Sequence, residues 1–119
     1  MFIQILKSKL HNLKVTSTNL NYEGSITLDE ELIKISGLYE YEKVHVLNLN
    51  NGQRIETYII KNTKNTGEVC LNGPAARIAV PGDLIIVLSY CFIPISEINK
   101  HKPTIIIIDP SNNKPLKTV

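Results

Sequence analysis

Tight-turn signals cut this chain into short extended pieces, and that punctuation limits its fold more than any other feature. Asn50-Asn51-Gly52 separates two β-like runs at 44–49 and 54–60, and Asn-Gly between such runs predicts a hairpin. Lys64-Asn65-Thr66-Gly67 is a second turn, leading into a run at 68–71, and Pro81-Gly82-Asp83 is a third, ahead of one at 84–92. Further strands are expected at 2–6, 13–18, 25–28 and 104–108. The best helix lies over 29–37, with acidic residues in its first turn, Lys34 later, and Gly37 where it should stop. Its Leu32, Ile33 and Ile35 are expected in the core. A short helical piece is expected over 96–100. Asn72-Gly73-Pro74-Ala75-Ala76-Arg77 interrupts the strand pattern with small residues, and 110–119 opens with Pro110-Ser111-Asn112-Asn113, which reads as a loose polar tail. Many short strands between regular turns predict a mainly β fold, a closed barrel with one or two short helices. Residues 1–119 read as a single domain, with no repeat or linker.

Composition narrows the partners. Hydrophobic residues make up 43% of 119, enough for a globular chain with one modest core. The formal charge of +2 is scattered, and no Arg-rich or aromatic-interleaved stretch argues for nucleic acid. The longest apolar stretches, 84–88 and 105–108, are too short to cross a bilayer as helices. The first seven residues lack the basic start and long apolar core of a signal peptide. Cys70 and Cys91 lie in apolar runs, with neither a Cys-x-x-Cys pair nor a histidine at ligand spacing. They are expected to be reduced thiols in a cytoplasmic protein, with no metal site.

Residues two apart in a strand share a face. Lys9 and His11 therefore point one way if that segment is extended, as do Arg54, Glu56 and Tyr58, with Thr57 opposite. Such faces are ordinarily solvent-facing. Together they would also suit an acidic small molecule, because arginine grips a carboxylate through two parallel hydrogen bonds. The Gly24-Ser25 bond has two readings of its own. It is either a plain turn or a bond that the protein breaks on itself. A serine hydroxyl can attack the preceding carbonyl, and glycine presents the least crowded one. The resulting ester can undergo β-elimination, and the dehydroalanine left behind hydrolyses to a pyruvoyl group with loss of ammonia. Such a carbonyl can form a Schiff base with an amine and accept the electron pair released as CO2 departs. Self-cleavage needs a donor for the oxyanion at Gly24 and strain or orientation at the bond.

The order and spacing of Lys9-Leu10-His11, Val15-Thr16, Leu20, Tyr22-Glu23-Gly24-Ser25, Asn51-Gly52, Arg54, Thr57-Tyr58, Glu68, Asn72-Gly73, Ala75-Ala76-Arg77, Gly82-Asp83 and Lys102-Pro103 resemble the pyruvoyl-dependent aspartate 1-decarboxylases. These convert L-aspartate to β-alanine for pantothenate, and so coenzyme A, synthesis. The resemblance covers nearly the whole chain. It implies a double-psi β-barrel, a homotetramer with sites between subunits, and a proenzyme cut into residues 1–24 and 25–119. Ser25 would be the pyruvoyl precursor and the Schiff-base carbon, with neither metal nor pyridoxal phosphate. Gly24, Ser25 and Thr57 would serve processing, and Tyr58 would donate a proton to Cα. Arg54 would bind a substrate carboxylate with Lys9 close to it. His11, Tyr22, Thr57 and Asn72, with the backbone of Gly73, Pro74 and Ala75, would line the substrate site. A maturation factor is a further partner to look for.

Two positions depart from the family pattern. Leu47 stands where a tryptophan is common, which changes packing near the site. Pro74 replaces an alanine in the Asn-Gly-Ala-Ala-Ala loop and removes a backbone donor. Donation from Gly73 or Ala75 then matters more. Two other classes remain at this point. A non-enzymatic barrel module would keep an intact chain. An amidohydrolase with an N-terminal serine would be cut at the same bond but keep a free serine amine.

Overall fold

The Asn51-Gly52 turn closes the hairpin it predicts. In the computed structural model, which describes residues 1–119, β4 (Lys43–Asn48) and β5 (Arg54–Asn62) pair antiparallel. Gly52, at φ +75°, donates to the Asn48 carbonyl at 2.9 Å. The other strands are β1 (Phe2–Lys14), β2 (Ser17–Asn19), β3 (Ser25–Asp29), β6 (Cys70–Asn72), β7 (Leu84–Pro94), β8 (Thr104–Asp109) and β9 (Lys114–Thr118). They form one sheet in the order β2-β6-β3-β5-β4-β7-β1-β8-β9. The protein is mainly β, and this topology is compatible with a double-psi barrel.

Connectivity bends this sheet. β1 and β2 stand seventh and first in the order, a separation of about 29 Å if the sheet lay flat. Only Val15 and Thr16 join them, a reach of roughly 10 Å. The sheet must therefore curl round its own inner face. That face carries the core: Leu10, Leu13, Val15, Ile26, Leu28, Val44, Val46, Ile59, Leu71, Ile85, Val87, Ile106 and Ile108 are each at most 1% exposed. Across β1, β7, β4 and β5 the register aligns Leu10, Val87, Val46 and Ile55 in one inward row.

The helix α1 (Glu30–Ser36) ends as expected, at Gly37 in the left-handed region, whose N–H bonds back to Ile33 and Lys34 carbonyls. Leu32 and Ile33 are buried, but Ile35 is 46% exposed. Only a seven-residue amphipathic helix forms, and Ile35 falls on its outer side. The 3₁₀ turns Gly73–Arg77 and Ile95–Lys100 complete the fold. Pro74 fits the first of these because its fixed φ suits a helical first turn.

Two further expectations fail. The first strand does not stop before Lys9 but runs to Lys14, absorbing register shifts between Leu6 and Ser8 and between His11 and Leu13. Asn12 takes φ +71° at the second bulge, a conformation asparagine tolerates. Nor is the tail loose. Ser111 donates from its backbone and its hydroxyl to the Asp109 carboxylate at 2.9 and 2.7 Å, and β9 returns along β8. What composition marks as polar and loose is turn chemistry.

Asn113 anchors that turn. It is 2% exposed. Its Oδ1 accepts from Lys14 N at 2.8 Å, and its Nδ2 donates to the carbonyls of Lys14 and Gly67 at 2.9 and 2.8 Å. Asn113→Ala should lose about 3 kcal/mol in urea denaturation, at about 1 kcal/mol per hydrogen bond. A loss under about 1 kcal/mol would mean that these bonds do not hold the terminal hairpin.

Candidate active site

Gly24 and Ser25 both have positive φ, +134° and +109°. The glycine accepts this freely, but the serine does so at a cost of roughly 1–3 kcal/mol. The surrounding sheet holds Ser25 there. It pairs with Asn72 on β6, and Ile26 beside it pairs with Leu71 and with Ile59 of β5. Ser25 is fully buried. Its Oγ accepts a hydrogen bond from Asn72 Nδ2 at 2.9 Å, and the same amide donates to Thr27 Oγ1 at 3.1 Å. The serine of the bond named by the sequence is thus strained and buried, with a polar donor on its hydroxyl oxygen.

Gly73 closes the other side. A Cβ there would lie 2.7 Å from Gly24 N, 2.7 Å from Tyr22 O and 2.8 Å from Gly24 Cα. The segment before Ser25 therefore rests directly on the Gly73 backbone. Pairing of Ser25 with Asn72 sets this approach, because Gly73 follows at once in the chain.

A cleft of about 320 Å³ opens beside the bond, lined by Glu23, Gly24, Ile55, Glu56, Thr57, Tyr58, Asn72, Pro74 and Ala75. Thr57 and Tyr58 point to opposite sides of β5, yet both reach this cleft. The ring of Tyr58 is on the exposed side and Thr57 is half-buried. The twist of the curled sheet brings adjacent, oppositely directed residues to one opening. The Glu56 carboxyl lies below its usual range, chiefly through its hydrogen bond to Lys43 and then through that lysine's charge. The ion pair spans 3.1 Å. Lys43 thus keeps Glu56 ionised at the rim.

Lys9, His11 and Arg54 lie elsewhere. Register places His11 opposite Ile86, Ile86 opposite Leu47, and Leu47 opposite Arg54, one row on the outer face of β1, β7, β4 and β5. The next row is Lys9, Leu88, His45 and Glu56. Lys9 and Arg54 are thus on one face but three strands apart, roughly 14 Å between backbones. Burial first, and then the charge of Lys9, hold the His11 imidazole below its ordinary range, so it is neutral at neutral pH. Its Nδ1 is buried without a partner. Leu47 sits between His11 and Arg54 in that row. Tyr22 is half exposed, with its carbonyl against Gly73.

The residues gathered at the bond are therefore Gly24, Ser25, Thr57, Tyr58, Asn72, Pro74 and Ala75, with Gly73 beneath. Thr27 and Cys70 also belong to the cluster, because Cys70 Sγ donates to Asn72 Oδ1 at 3.2 Å. Strand parity could have found both. Thr27 lies two residues from Ser25 on β3, and Cys70 two from Asn72 on β6. No three His, Cys, Asp or Glu side chains group as a metal site, and no helix is long and apolar enough to cross a membrane.

A family model described as aspartate decarboxylase matches residues 1–115. An aspartate 1-decarboxylase of Caldicellulosiruptor bescii is 55% identical over 112 residues, 94% of this chain and 88% of the relative. Those of Cytophaga hutchinsonii and Parabacteroides distasonis are 53% and 52% identical over 94% and 96% of this chain and 97% and 98% of their own lengths. The chain therefore belongs to the aspartate decarboxylase family.

Proposed function

We propose that this chain decarboxylates L-aspartate to β-alanine and CO2, for pantothenate and so coenzyme A synthesis, using a pyruvoyl group made from its own Ser25. The observation that carries the processing half of this reading is the geometry of one bond. Ser25 is held at φ +109°, fully buried, with its hydroxyl oxygen on Asn72. Strain raises the bond toward its transition state, and the Asn72 donor favours loss of the proton from Ser25 Oγ as that oxygen attacks. Attack would join Ser25 Oγ to the Gly24 carbonyl carbon and break the Gly24 C–N bond, the amine taking up the hydroxyl proton. Loss of a proton from Ser25 Cα would then expel Gly24 as a carboxylate. Water would convert the dehydroalanine end to pyruvoyl, with release of ammonia. The residues around Ser25 fit that group: the position is enclosed, beside a cleft large enough for a small amino acid.

The pyruvoyl carbonyl supplies the electron sink for the departing CO2. The protein supplies the rest. Thr57 lines the cleft with Gly24 and is suited first to orient that carbonyl and later to touch substrate. Tyr58 brings a phenolic hydroxyl to the same cleft and is the acid for Cα. Asn72, Pro74 and Ala75 also line the cleft, with Gly73 beneath Gly24. Gly73 and Ala75 take up the donation that Pro74 cannot make.

Arg54, Lys9 and His11 act from the outer face. In a homotetramer with sites between copies, one chain would give the Ser25 cleft and another its row of Lys9, His11 and Arg54. Arg54 would then hold the retained side-chain carboxylate and fix which carboxyl group leaves. Tyr22, half exposed at the cleft's edge, is a further lining residue. Both cysteines are free thiols, in keeping with a cytoplasmic setting.

The test is the intact mass of purified protein over time, beside an assay for β-alanine. The 13.4 kDa chain should give way to two pieces split before Ser25, the larger ending in a carbonyl that borohydride reduces. A chain that stays whole and forms no β-alanine would reject the reading. A larger piece with a free serine amine would indicate the amidohydrolase instead. Cleavage in purified protein with nothing added would show that maturation needs no helper.

A further inference from the structure

We propose that Cys70 is a positioning residue for cleavage at Gly24-Ser25: its thiol fixes which end of the Asn72 side-chain amide faces Ser25. The proposal rests on the self-processing reading above.

An asparagine amide carries an acceptor at one end and two donors at the other. Serine and threonine hydroxyls do not discriminate between these ends, because each can donate or accept. Ser25 and Thr27 alone would therefore leave Asn72 free to turn either way. The two orientations differ chemically. With Nδ2 toward Ser25, the amide donates to Oγ and stabilises negative charge as the hydroxyl gives up its proton. With Oδ1 toward Ser25, the amide ties up that proton and would face the developing charge with another negative dipole.

The third neighbour breaks the tie. A thiol donates a hydrogen bond but is only a weak acceptor. Cys70 Sγ lies 3.2 Å from Asn72 Oδ1, against 3.9 Å from its other acceptor, the Leu71 carbonyl. Both hydrogens of Nδ2 are then left for Ser25 Oγ at 2.9 Å and Thr27 Oγ1 at 3.1 Å. Cys70 is 7% exposed, Asn72 4% and Ser25 0%, so water has little access to substitute for any member. In such a setting each bond weighs more than at a surface. The sheet builds the arrangement: Cys70 and Asn72 are two apart on β6, facing Thr27 and Ser25 across the antiparallel pair.

Cleavage rates of wild type, Cys70→Ala, Cys70→Val and Cys70→Ser, followed by intact mass from freshly made protein, test this. Cys70→Ala and Cys70→Val should each cut about five- to tenfold more slowly, the first leaving a gap and the second filling it without a donor. Cys70→Ser, which keeps a donor, should return to within about twofold of wild type. Urea denaturation of the four proteins separates rate from stability. A Cys70→Val that cuts at the wild-type rate would overturn the proposal, because the donor would then be dispensable. Slow cutting by all three variants would also overturn it, since packing and not donation would be at work. A wild type that never cuts would instead remove the self-processing reading itself.

Discussion

Ser25→Ala is expected to remain a single 13.4 kDa chain and to form no detectable β-alanine. The substitution removes the attacking oxygen and, with it, the atom through which Gly24 would leave. No neighbour can stand in. Thr27 Oγ1 shares the Asn72 amide but belongs to a residue two positions along the strand. The fold should survive, because alanine meets much the same backbone strain at φ +109° and the buried Asn72 amide loses only one of its two acceptors. The stability change should be about 1 kcal/mol, so circular dichroism and urea denaturation should report a folded protein. An uncut yet active variant would mean that decarboxylation needs no group from Ser25. A cut variant would mean that another nucleophile breaks the bond.

Gly73→Ala should slow cleavage at least tenfold, although residue 73 carries no reacting atom. Its new Cβ would stand 2.7 Å from Gly24 N and Tyr22 O and 2.8 Å from Gly24 Cα, distances that real contacts do not hold. All three atoms are backbone, so no side chain can swing aside. Alanine at φ +63° adds about 1–2 kcal/mol of its own. The Tyr22 to Gly24 segment must move, and with it the carbonyl that Ser25 attacks. Tenfold corresponds to about 1.4 kcal/mol in the barrier, less than such a displacement ordinarily costs at a reacting centre. Gly52→Ala is the control. Its φ of +75° brings the same backbone penalty, but nothing lies within 4 Å of the added carbon. It should cut at the wild-type rate. If Gly73→Ala matched it, the close approach beneath Gly24 would have no part in cleavage.

Much of this was legible in the residues, for reasons that differ by element. The Asn51-Gly52 hairpin and the Gly37 helix stop depend on local backbone geometry, and local sequence determines them. The length of β1 does not. Bulges near Lys7 and Asn12 let one strand continue where a regular alternation breaks. The terminal hairpin turns on Asn113, whose partners lie at Lys14 and Gly67, 99 and 46 residues away. The site divides in the same way. Thr57, Tyr58 and Asn72 lie in one cleft with Gly24, and Asn72 reaches Ser25. The distance between Lys9 and Arg54 is set by β7 and β4 standing between β1 and β5, an order that no spacing along the chain records.

The placement of β1 has a consequence for the protein after cleavage. Residues 1–24 are not a leader that drifts off. Their long strand is zipped between β7 and β8, and β2 is paired to β6. Once cut at Gly24-Ser25, the two pieces would still travel as one particle under native conditions. Unfolding would change in kind, however. The uncut subunit carries β1 and β2 within its own chain, whereas the nicked one must first find its missing strand in solution. Its apparent stability would then fall with dilution, as for any complex of two chains. A single bond would thus separate a subunit that holds all its strands in one chain from one that, once unfolded, depends on concentration to recover them.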